Sequence, residues 1–378
     1  MRDKIGIYIH IPFCESKCFY CDFCSSSSSN ESTVQAYIES LIEEILSQSE
    51  MLSEYNIDTI YIGGGTPSFI DAKYIKDVMQ VLFASSSVLE DAEITIEVNP
   101  ESCTLEKLKT YKEIGINRIS VGLQTIHDNI LQNIGRKAKF NDFKIAYDNI
   151  LKAGFENISV DLMCGLPGDN KQTFNETIQY ILSLDKLKHI SVYSLEVHEN
   201  TKLDFLIENG FVSLPSEDEE RDMKHALDES LEQNGFYLYE ISNYAKQGFE
   251  SKHNLKYWNS NYYIGFGCAA ASYINSTRYC NTKSIEEYIQ NGSKCNKSEI
   301  EQLDLLDLEK EFVILSLRLS KGIDKLEFSN RFKIDIWDMF KEELNKCIKD
   351  GLLEENKTNI YLTKRGQDLA NIVWQQFI

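Results

Sequence analysis

The first half of the chain alternates between two hydrophobic patterns. Short runs rich in β-branched and aromatic residues predict strands, and apolar residues at three- and four-residue spacing between them predict amphipathic helices. Six short strands, each but the last followed by a clear helix, require a parallel sheet with right-handed crossovers. We therefore predict an α/β fold, either a partial (β/α)6 TIM-like barrel or a doubly wound sheet. The predicted strands span 5–9, 59–62, 93–98, 118–123, 157–162 and 189–195, and the predicted helices span 33–52, 72–84, 104–114, 141–153 and 172–184.

The pattern changes after residue 200. A charged helix is predicted at 216–234, and an aromatic-rich stretch follows at about 236–280. From Leu303 onward the pattern predicts a helix, a short helix, a third helix, a hairpin at 352–362 and a last helix, an order that resembles a winged helix. The predicted domains are a barrel at 1–215, a connecting region at 216–300 and a winged-helix-like α+β domain at 301–378.

Composition limits the classes of partner. The chain has 378 residues, 42% of them hydrophobic, and a net charge of −20, which disfavours binding to nucleic acid or to anionic membranes. Residues 307–378 hold 12 Lys/Arg and 13 Asp/Glu, a net charge of −1 (12 − 13), whereas a DNA-binding wing is usually basic. We expect no nucleic-acid partner. No segment reaches the roughly 20 apolar residues of a membrane span, and the amino terminus is typical of a strand rather than a signal peptide, so we expect a cytoplasmic protein.

Four of the ten cysteines lie in one short loop, Cys14-Glu-Ser-Lys-Cys18-Phe-Tyr-Cys21-Asp-Phe-Cys24. Thiolates bind soft metals and iron–sulfur clusters. Three ligands suit a cubane with one open iron, whereas a fourth would suit zinc or a fully ligated cluster. Structural zinc usually takes its ligands from two separated pairs, and this sequence has no second Cys or His cluster, which disfavours zinc. Most of the other six fit small buried hydrophobic residues: Cys103, Cys164, Cys268, Cys280, Cys295 and Cys347.

The spacing C-x3-C-x2-C directly after a first strand, with an aromatic residue before the last cysteine, resembles the loop of the radical SAM superfamily. That resemblance implies a [4Fe-4S] cluster on Cys14, Cys18 and Cys21, with the fourth iron left for S-adenosylmethionine (SAM). It implies no role for Cys24. In a parallel barrel the carboxyl ends of the strands meet at one mouth, and Glu97, Gln124 and Asp161 lie at or near three of those ends.

The whole chain resembles one branch of that superfamily. The segments YIHIPFC, GGGTPS, EVNPE, SVGLQT, GRK, DLMCGLPG and HNLKYW occur in the order seen in relatives of the oxygen-independent coproporphyrinogen III oxidase, HemN, and the chain is most similar to the HemW group of heme chaperones. The resemblance implies the partial radical SAM barrel. It also implies SAM contacts at Tyr8, Gly64, Gly65, Thr66, Glu97, Gln124, Arg136, Asp161 and Leu195, and it makes Tyr20 a candidate beside the adenine. Core packing is the alternative for Tyr8 and Tyr20.

The segment His253-Asn254-Leu255-Lys256-Tyr257-Trp258 is the candidate heme site. An imidazole can ligate heme iron, and aromatic rings offer a porphyrin a flat apolar surface. The alternative is a structural turn in which His253, Tyr257 and Trp258 serve the core. Relatives often carry a histidine where this chain has Ala271, so Cys268 is a further candidate ligand.

Two features favour HemW over the oxidase. Seven residues precede Tyr8, where the oxidase carries an extension, and Cys24 follows Cys21 by three positions rather than two. The resemblance implies a cluster, SAM, heme as cargo, a client hemoprotein and an electron donor such as flavodoxin or ferredoxin. A membrane-associated client stays open, as does productive SAM cleavage. The alternatives are a coproporphyrinogen III oxidase and, less favoured, a non-enzymatic cluster or zinc protein.

Overall fold

A parallel six-stranded sheet forms the centre of the chain. The computed structural model describes residues 2–27, 30–294 and 296–378, so Cys295 and two residues of the serine run at 25–29 lie outside the described part. The six strands pair in sequence order, each parallel to the next, as the hydrophobic pattern predicted. They are β1 Lys4–Ile11, β2 Asn56–Gly64, β3 Val88–Val98, β4 Arg118–Gln124, β5 Asn157–Cys164 and β6 Leu187–Ser194.

Helices connect these strands. Apolar faces at helical spacing bury against the sheet, and side chains of Asn30, Asp71, Thr104 and Asn170 cap four of the helices. The predicted helix at 33–52 is broken at Gln48, and the short helix at 128–133 was not predicted. The helices are α1 Glu31–Ser47, α2 Ser49–Leu52, α3 Ala72–Ser85, α4 Leu105–Glu113, α5 Asp128–Asn133, α6 Phe140–Lys152, α7 Lys171–Leu182, α8 Lys202–Glu208 and α9 Glu217–Gln233.

The segment predicted as a connecting region extends the sheet at both edges. One strand pairs in parallel with β1 and starts an antiparallel run, while two others pair antiparallel beyond β6. These strands are three to six residues long, too short for their alternation to stand out in the sequence. The elements are β7 Tyr237–Glu240, β8 Asn243–Ala245, α10 Lys252–Trp258, β9 Tyr263–Phe266, β10 Ala271–Ile274, β11 Thr277–Asn281, α11 Ile285–Asn291 and β12 Lys297–Gln302.

The carboxyl-terminal part has its own hydrophobic core and a three-stranded sheet. Its order of helices and hairpin confirms the winged-helix-like prediction, with one extra short strand, one extra four-residue helix before the hairpin and a last helix split in two. The elements are α12 Leu305–Ser316, β13 Ile323–Asp324, α13 Lys325–Phe332, α14 Ile336–Met339, α15 Lys341–Lys349, β14 Leu353–Glu355, β15 Asn359–Leu362, α16 Lys364–Asp368 and α17 Ala370–Trp374.

The central strands are buried along most of their length. All seven residues of β4 are buried, as expected for a parallel strand covered on both faces. This packing fixes the carboxyl ends of β1 to β6 at one edge of the sheet, where the loops leave. None of the helices in the described ranges has the length and hydrophobicity to cross a membrane.

Candidate functional site

The cysteine loop leaves the carboxyl end of β1 and closes on itself. The Cys14 amide donates to the Ser26 carbonyl at 3.0 Å, and the Ser26 amide donates to the Pro12 carbonyl at 2.8 Å. These two hydrogen bonds close a loop that contains Cys14, Cys18 and Cys21, all partly exposed. The three predicted ligands therefore lie in one closed loop at the mouth of the barrel.

Burial raises the pKa of the Cys14 and Cys21 thiols, so both are protonated near neutral pH. Binding to iron requires the thiolates, and loading a cluster on this loop would therefore release protons. Within the described ranges, no three His, Cys, Asp or Glu side chains lie close enough to share one metal ion. A cubane makes no such demand, because each of its three cysteines ligates a different iron.

The glycine loop after β2 lies directly against the cysteine loop. A Cβ atom on Gly65 would fall 2.9 Å from the Cys14 Sγ, and one on Gly64 would fall 2.7 Å from the His10 ring. Gly64 also has a φ of +115°, which side-chain-bearing residues rarely adopt. The Thr66 amide donates to the Phe13 carbonyl at 2.8 Å. A side chain at Gly65 would displace the cysteine loop and one at Gly64 would displace the His10 ring, so the close fit around this turn depends on glycine.

Glu97, on β3, faces the glycine loop. Its Oε1 accepts from the Tyr61 hydroxyl at 2.8 Å, and its Oε2 accepts from the Gly64 amide at 3.3 Å. Burial raises the pKa of this carboxyl to about 7, and the hydrogen bond from Tyr61 opposes the shift. A carboxyl with this pKa gains or loses its charge readily near neutral pH. It can serve a cationic amine when ionised.

Arg136 connects three of the strand-end segments. Its Nη2 donates to the Asn99 Oδ1 and to the Gly122 carbonyl, both at 2.8 Å. Burial lowers the pKa of Arg136, but neighbouring Cys18 and Tyr20 raise it, and the net shift is upward. The guanidinium therefore lies beside a predicted cluster ligand and remains charged.

Asn99 extends this network to a second predicted ligand. Its Nδ2 donates to the Thr66 Oγ1 at 3.4 Å, and the Thr66 hydroxyl donates to the Cys14 Sγ at 3.6 Å. A continuous polar path thus runs from Arg136 through Asn99 and Thr66 to Cys14. Asn99 is not among the candidates predicted from the sequence, although it stands two positions after Glu97 in the EVNPE segment.

Asp161 and Gln124 occupy different positions at the barrel mouth. β5 extends to Cys164, so Asp161 lies three residues before the strand end and deeper than predicted. The Ser120 hydroxyl lies 2.9 and 3.0 Å from its two carboxylate oxygens, while burial raises the pKa of Asp161. Gln124 ends β4 with a left-handed φ of 68°. A left-handed backbone at a residue other than glycine is strained.

Tyr8, Tyr20 and Leu195 are also near the mouth. The Tyr8 hydroxyl lies 2.9 Å from the His10 Nδ1, and its ring stacks on Tyr61 with centroids 6.4 Å apart. Tyr20 and Leu195 pack on a small separate hydrophobic cluster formed by residues of α5 and β5 and by Leu166. Burial and the nearby Cys18 raise the pKa of Tyr20.

The heme candidate His253 is enclosed by other side chains. It is 1% exposed; its Nδ1 lies 2.9 Å from the Thr59 Oγ1, and its Nε2 lies 2.9 Å from the Tyr257 hydroxyl. Burial lowers the pKa of His253 to about 3, so the ring is neutral. Both ring nitrogens are engaged, so axial ligation by His253 would require it to leave these partners.

The other heme candidates differ from His253 in their exposure and contacts. Tyr257 and Trp258 are partly exposed, and the Arg318 guanidinium lies 4.5 Å from the Trp258 ring centroid. Ala271 is exposed at the start of β10. Cys268 is fully buried and faces Cys24 rather than His253. The arrangement offers aromatic surface at Tyr257 and Trp258, but the described residues gather no set of iron ligands around them.

Comparison with known proteins gives two family matches. A profile of the radical SAM superfamily matches residues 8–181, and a profile of the HemN C-terminal domain matches residues 303–369. The first match includes the cysteine loop and the glycine loop described above. The second falls on the winged-helix-like part of the chain.

Full-length relatives give a finer assignment. The chain is 36% identical to the heme chaperone HemW of Bacillus subtilis over 98% of both chains. It is 34% identical to the heme chaperone HemW of Lactococcus lactis, covering 98% of this chain and 96% of the relative. The solved structure of the Escherichia coli coproporphyrinogen III oxidase HemN superposes with a TM-score of 0.85 at 22% identity, covering 100% of this chain and 90% of that one. That likeness shows the fold.

The parallel sheet, the closed cysteine loop and the profile match define a radical SAM protein, a class that uses a [4Fe-4S] cluster and SAM. At the level of full-length similarity, the chain belongs to the HemW family of heme chaperones. Both assignments confirm the resemblance found in the motifs.

Proposed function

We propose that this protein is a heme chaperone that binds heme and passes it to a client hemoprotein, with a radical SAM cluster and SAM as cofactors. The observation that carries the proposal is the full-length similarity to HemW chaperones, which spans 98% of the chain and includes the cysteine loop. We further propose an electron donor such as flavodoxin or ferredoxin, and a client that can be membrane-associated.

The residues fit the implied cofactors. Cys14, Cys18 and Cys21 would hold three irons, and the close approach of Gly65 to Cys14 leaves no room for a side chain beside them. The bound cluster and SAM would supply one-electron chemistry at the sulfonium, which no protein side chain provides. The chain's part is to orient SAM and to limit the access of water.

We assign the orientation of SAM to the strand-end groups. Glu97, when ionised, would accept from the amino group of SAM, beside the backbone of Gly64 and Gly65. Arg136 would face the SAM carboxylate, because a guanidinium pairs well with a planar anion. The remaining proposed contacts are Tyr8, Tyr20, Thr66, Gln124, Asp161 and Leu195.

We place heme at the aromatic surface of Tyr257 and Trp258. Because His253 is buried, we assign its imidazole a positioning role and not direct ligation of the iron in this conformation. Its ring is hydrogen-bonded to the Tyr257 hydroxyl. In this proposal the heme iron is ligated by a group of the client, or by a group of this chain that a rearrangement brings to the heme. The cysteine-rich, cluster-binding sequence supports a reducing compartment, the cytoplasm.

Two measurements test the proposal on anaerobically reconstituted protein. Titration with hemin should shift the Soret band with one heme per chain, and a Tyr257→Ala variant should weaken binding by about tenfold through lost aromatic contact. Tyr279→Ala, a partly exposed tyrosine of β11, is the matched control.

Incubation with coproporphyrinogen III, SAM and a reductant should leave the substrate unchanged. Sustained conversion to protoporphyrinogen would overturn the chaperone proposal in favour of the oxidase.

A further inference from the structure

Two cysteines from distant parts of the sequence meet beside the cluster loop. The Sγ atoms of Cys24 and Cys268 lie 3.5 Å apart although the residues are 244 positions apart. A disulfide needs about 2.05 Å between its sulfurs. The two sulfurs therefore have to approach each other by about 1.5 Å to form the bond.

The backbones of both cysteines are anchored to His10 of β1, that of Cys24 directly and that of Cys268 through Tyr37 of α1. The His10 Nε2 lies 2.9 Å from the Cys24 carbonyl oxygen. The Tyr37 hydroxyl donates to the His10 carbonyl at 2.7 Å and accepts from the Cys268 amide at 2.9 Å. Because one residue of β1 positions both partners, the proximity of the two sulfurs is a property of the barrel frame.

The two thiols differ in access and reactivity. Cys24 is partly exposed, whereas Cys268 is fully buried. The hydrogen bond with Cys268 lowers the pKa of Cys24 to about 7, while burial raises the pKa of nearby Cys280. Thiolate character and access make Cys24 the thiol that meets an oxidant first. Cys268 is then the nearest thiol to resolve the oxidised sulfur.

We propose that Cys24 and Cys268 form a reversible disulfide when the protein meets hydrogen peroxide. The Cys24 thiolate attacks the peroxide O–O bond, giving a sulfenic acid and hydroxide, which takes up the thiol proton as water. The Cys268 sulfur then attacks the Cys24 sulfur, forming the S–S bond and releasing a second water. In sum, two thiols and one hydrogen peroxide give one disulfide and two waters, with both sulfurs oxidised and the peroxide reduced.

The disulfide would fix the end of the cysteine loop to the turn between β9 and β10. It would also keep Cys24 from pairing with Cys14, Cys18 or Cys21 after an oxidant has destroyed the cluster. The three cluster ligands would then remain available for a new cluster. This role is independent of heme and of SAM, so its failure would leave the chaperone proposal intact.

Peptide mapping of the full-length chain tests the pairing directly. The cluster-free protein is treated with one equivalent of hydrogen peroxide, remaining thiols are alkylated, and chymotrypsin cleavage after Phe23 separates Cys24 from the cluster ligands. Mass spectrometry should find Cys24 linked to Cys268 in most chains, and dithiothreitol should release the link. Cys24 linked mainly to Cys14, Cys18 or Cys21, or alkylated while other cysteines are oxidised, would overturn the proposal.

Variants test the protective effect. After peroxide treatment and removal of the oxidant, without added thiol reductant, wild-type protein should accept a new cluster several-fold more fully than Cys268→Ala, measured by the cluster's absorbance. Cys280→Ala removes another cysteine of the same sheet edge and should behave like the wild type. Equal reconstitution of wild type and Cys268→Ala would contradict the protective role, and the mapping of the wild type does not depend on any variant folding.

Discussion

Glu97 holds its proton more tightly than a free carboxyl does, because it is buried. Burial raises the pKa of the Glu97 carboxyl from 4.5 to about 7. A group with a raised folded-state pKa adds stability below its unfolded pKa, and this stability is lost as the pH rises through the folded value. In the absence of SAM, the ionisation of this group should therefore lower the free energy of unfolding by at most about 3 kcal/mol between pH 5 and pH 8. Solvent screening of the partly exposed carboxyl reduces this change.

Glu97→Gln should reduce that pH dependence and weaken SAM binding. The amide is neutral at every pH, and it cannot offer a charge to the SAM amino group, so affinity should fall at least tenfold at pH 8. Chemical denaturation at pH 5 and pH 8 and calorimetric titration with SAM measure the two effects. Glu240→Gln is the control, since burial also raises the pKa of Glu240 to about 7 and it lies on β7. Loss of SAM affinity in both variants would count against the assignment of Glu97.

Residue positions could be predicted from the sequence where a motif stood at a strand end. Glu97 was named at the end of a predicted strand and the glycines directly after one, and the structure brings Gly65 against Cys14 and Glu97 against Gly64. Asn99 and the partner of Cys24 were missed because both depend on contacts between distant segments. No spacing in the sequence brings Cys24 near Cys268, which β1 and α1 position together.

Among the elements, α1 holds the added edge of the sheet through one buried carboxylate. Glu44 accepts from the Gly267 amide at 2.9 Å, from the Asn281 Nδ2 at 2.9 Å and from the Tyr288 hydroxyl at 2.7 Å. Lys297, on β12, forms an ion pair with it at 3.1 Å. The strands beyond β1 are thereby tied to the helix that follows the cysteine loop.

Glu44→Ala should lower the free energy of unfolding by about 3 kcal/mol, because it leaves several buried donors without an acceptor. Urea denaturation followed by circular dichroism measures the change. Glu43→Ala alters the neighbouring exposed residue of the same helix and should change stability by under about 0.5 kcal/mol. Equal effects of the two substitutions would mean that the polar cluster does not hold this edge.

The element scale also shows where sequence patterns stop being informative. β1 to β6 were predicted because each is a mostly buried run bounded by turns. β7 to β12 are shorter, and their pairing with β1 and β6 is non-local. The aromatic-rich composition at 236–280 indicated burial but not strand direction. In the structure, Tyr257, Tyr263 and Tyr273 pack edge to face or tilted.

At the scale of the whole molecule, Arg318 connects the winged-helix-like part to α10. The Arg318 guanidinium lies 4.5 Å from the Trp258 centroid and 4.7 Å from the Trp374 centroid. Backbone hydrogen bonds reinforce the contact, from the Ile241 amide to the Arg318 carbonyl and from the Ser320 amide to the Tyr239 carbonyl, each at 3.0 Å. Trp258, in the proposed heme surface, is thus in contact with Arg318 of the carboxyl-terminal part.

Arg318→Met should weaken this junction by about 1–2 kcal/mol, since it keeps the stem but removes the stacked cation. Differential scanning calorimetry should then show a lower first transition, and hemin affinity should fall if Trp258 shifts. Arg365→Met, at an exposed arginine of α16, should leave both quantities unchanged. An unchanged thermogram for Arg318→Met would show that the backbone contacts suffice.

In the proposed site, Cys14, Cys18 and Cys21 hold a cluster whose fourth iron binds SAM. Electron paramagnetic resonance of the reduced, reconstituted protein, with and without SAM, tests this arrangement. We expect SAM to change the cluster signal in the wild type and in Cys24→Ala, and we expect the signal to be lost in Cys14→Ala, Cys18→Ala and Cys21→Ala. A cluster signal that SAM leaves unmoved, or one that requires Cys24, would contradict it.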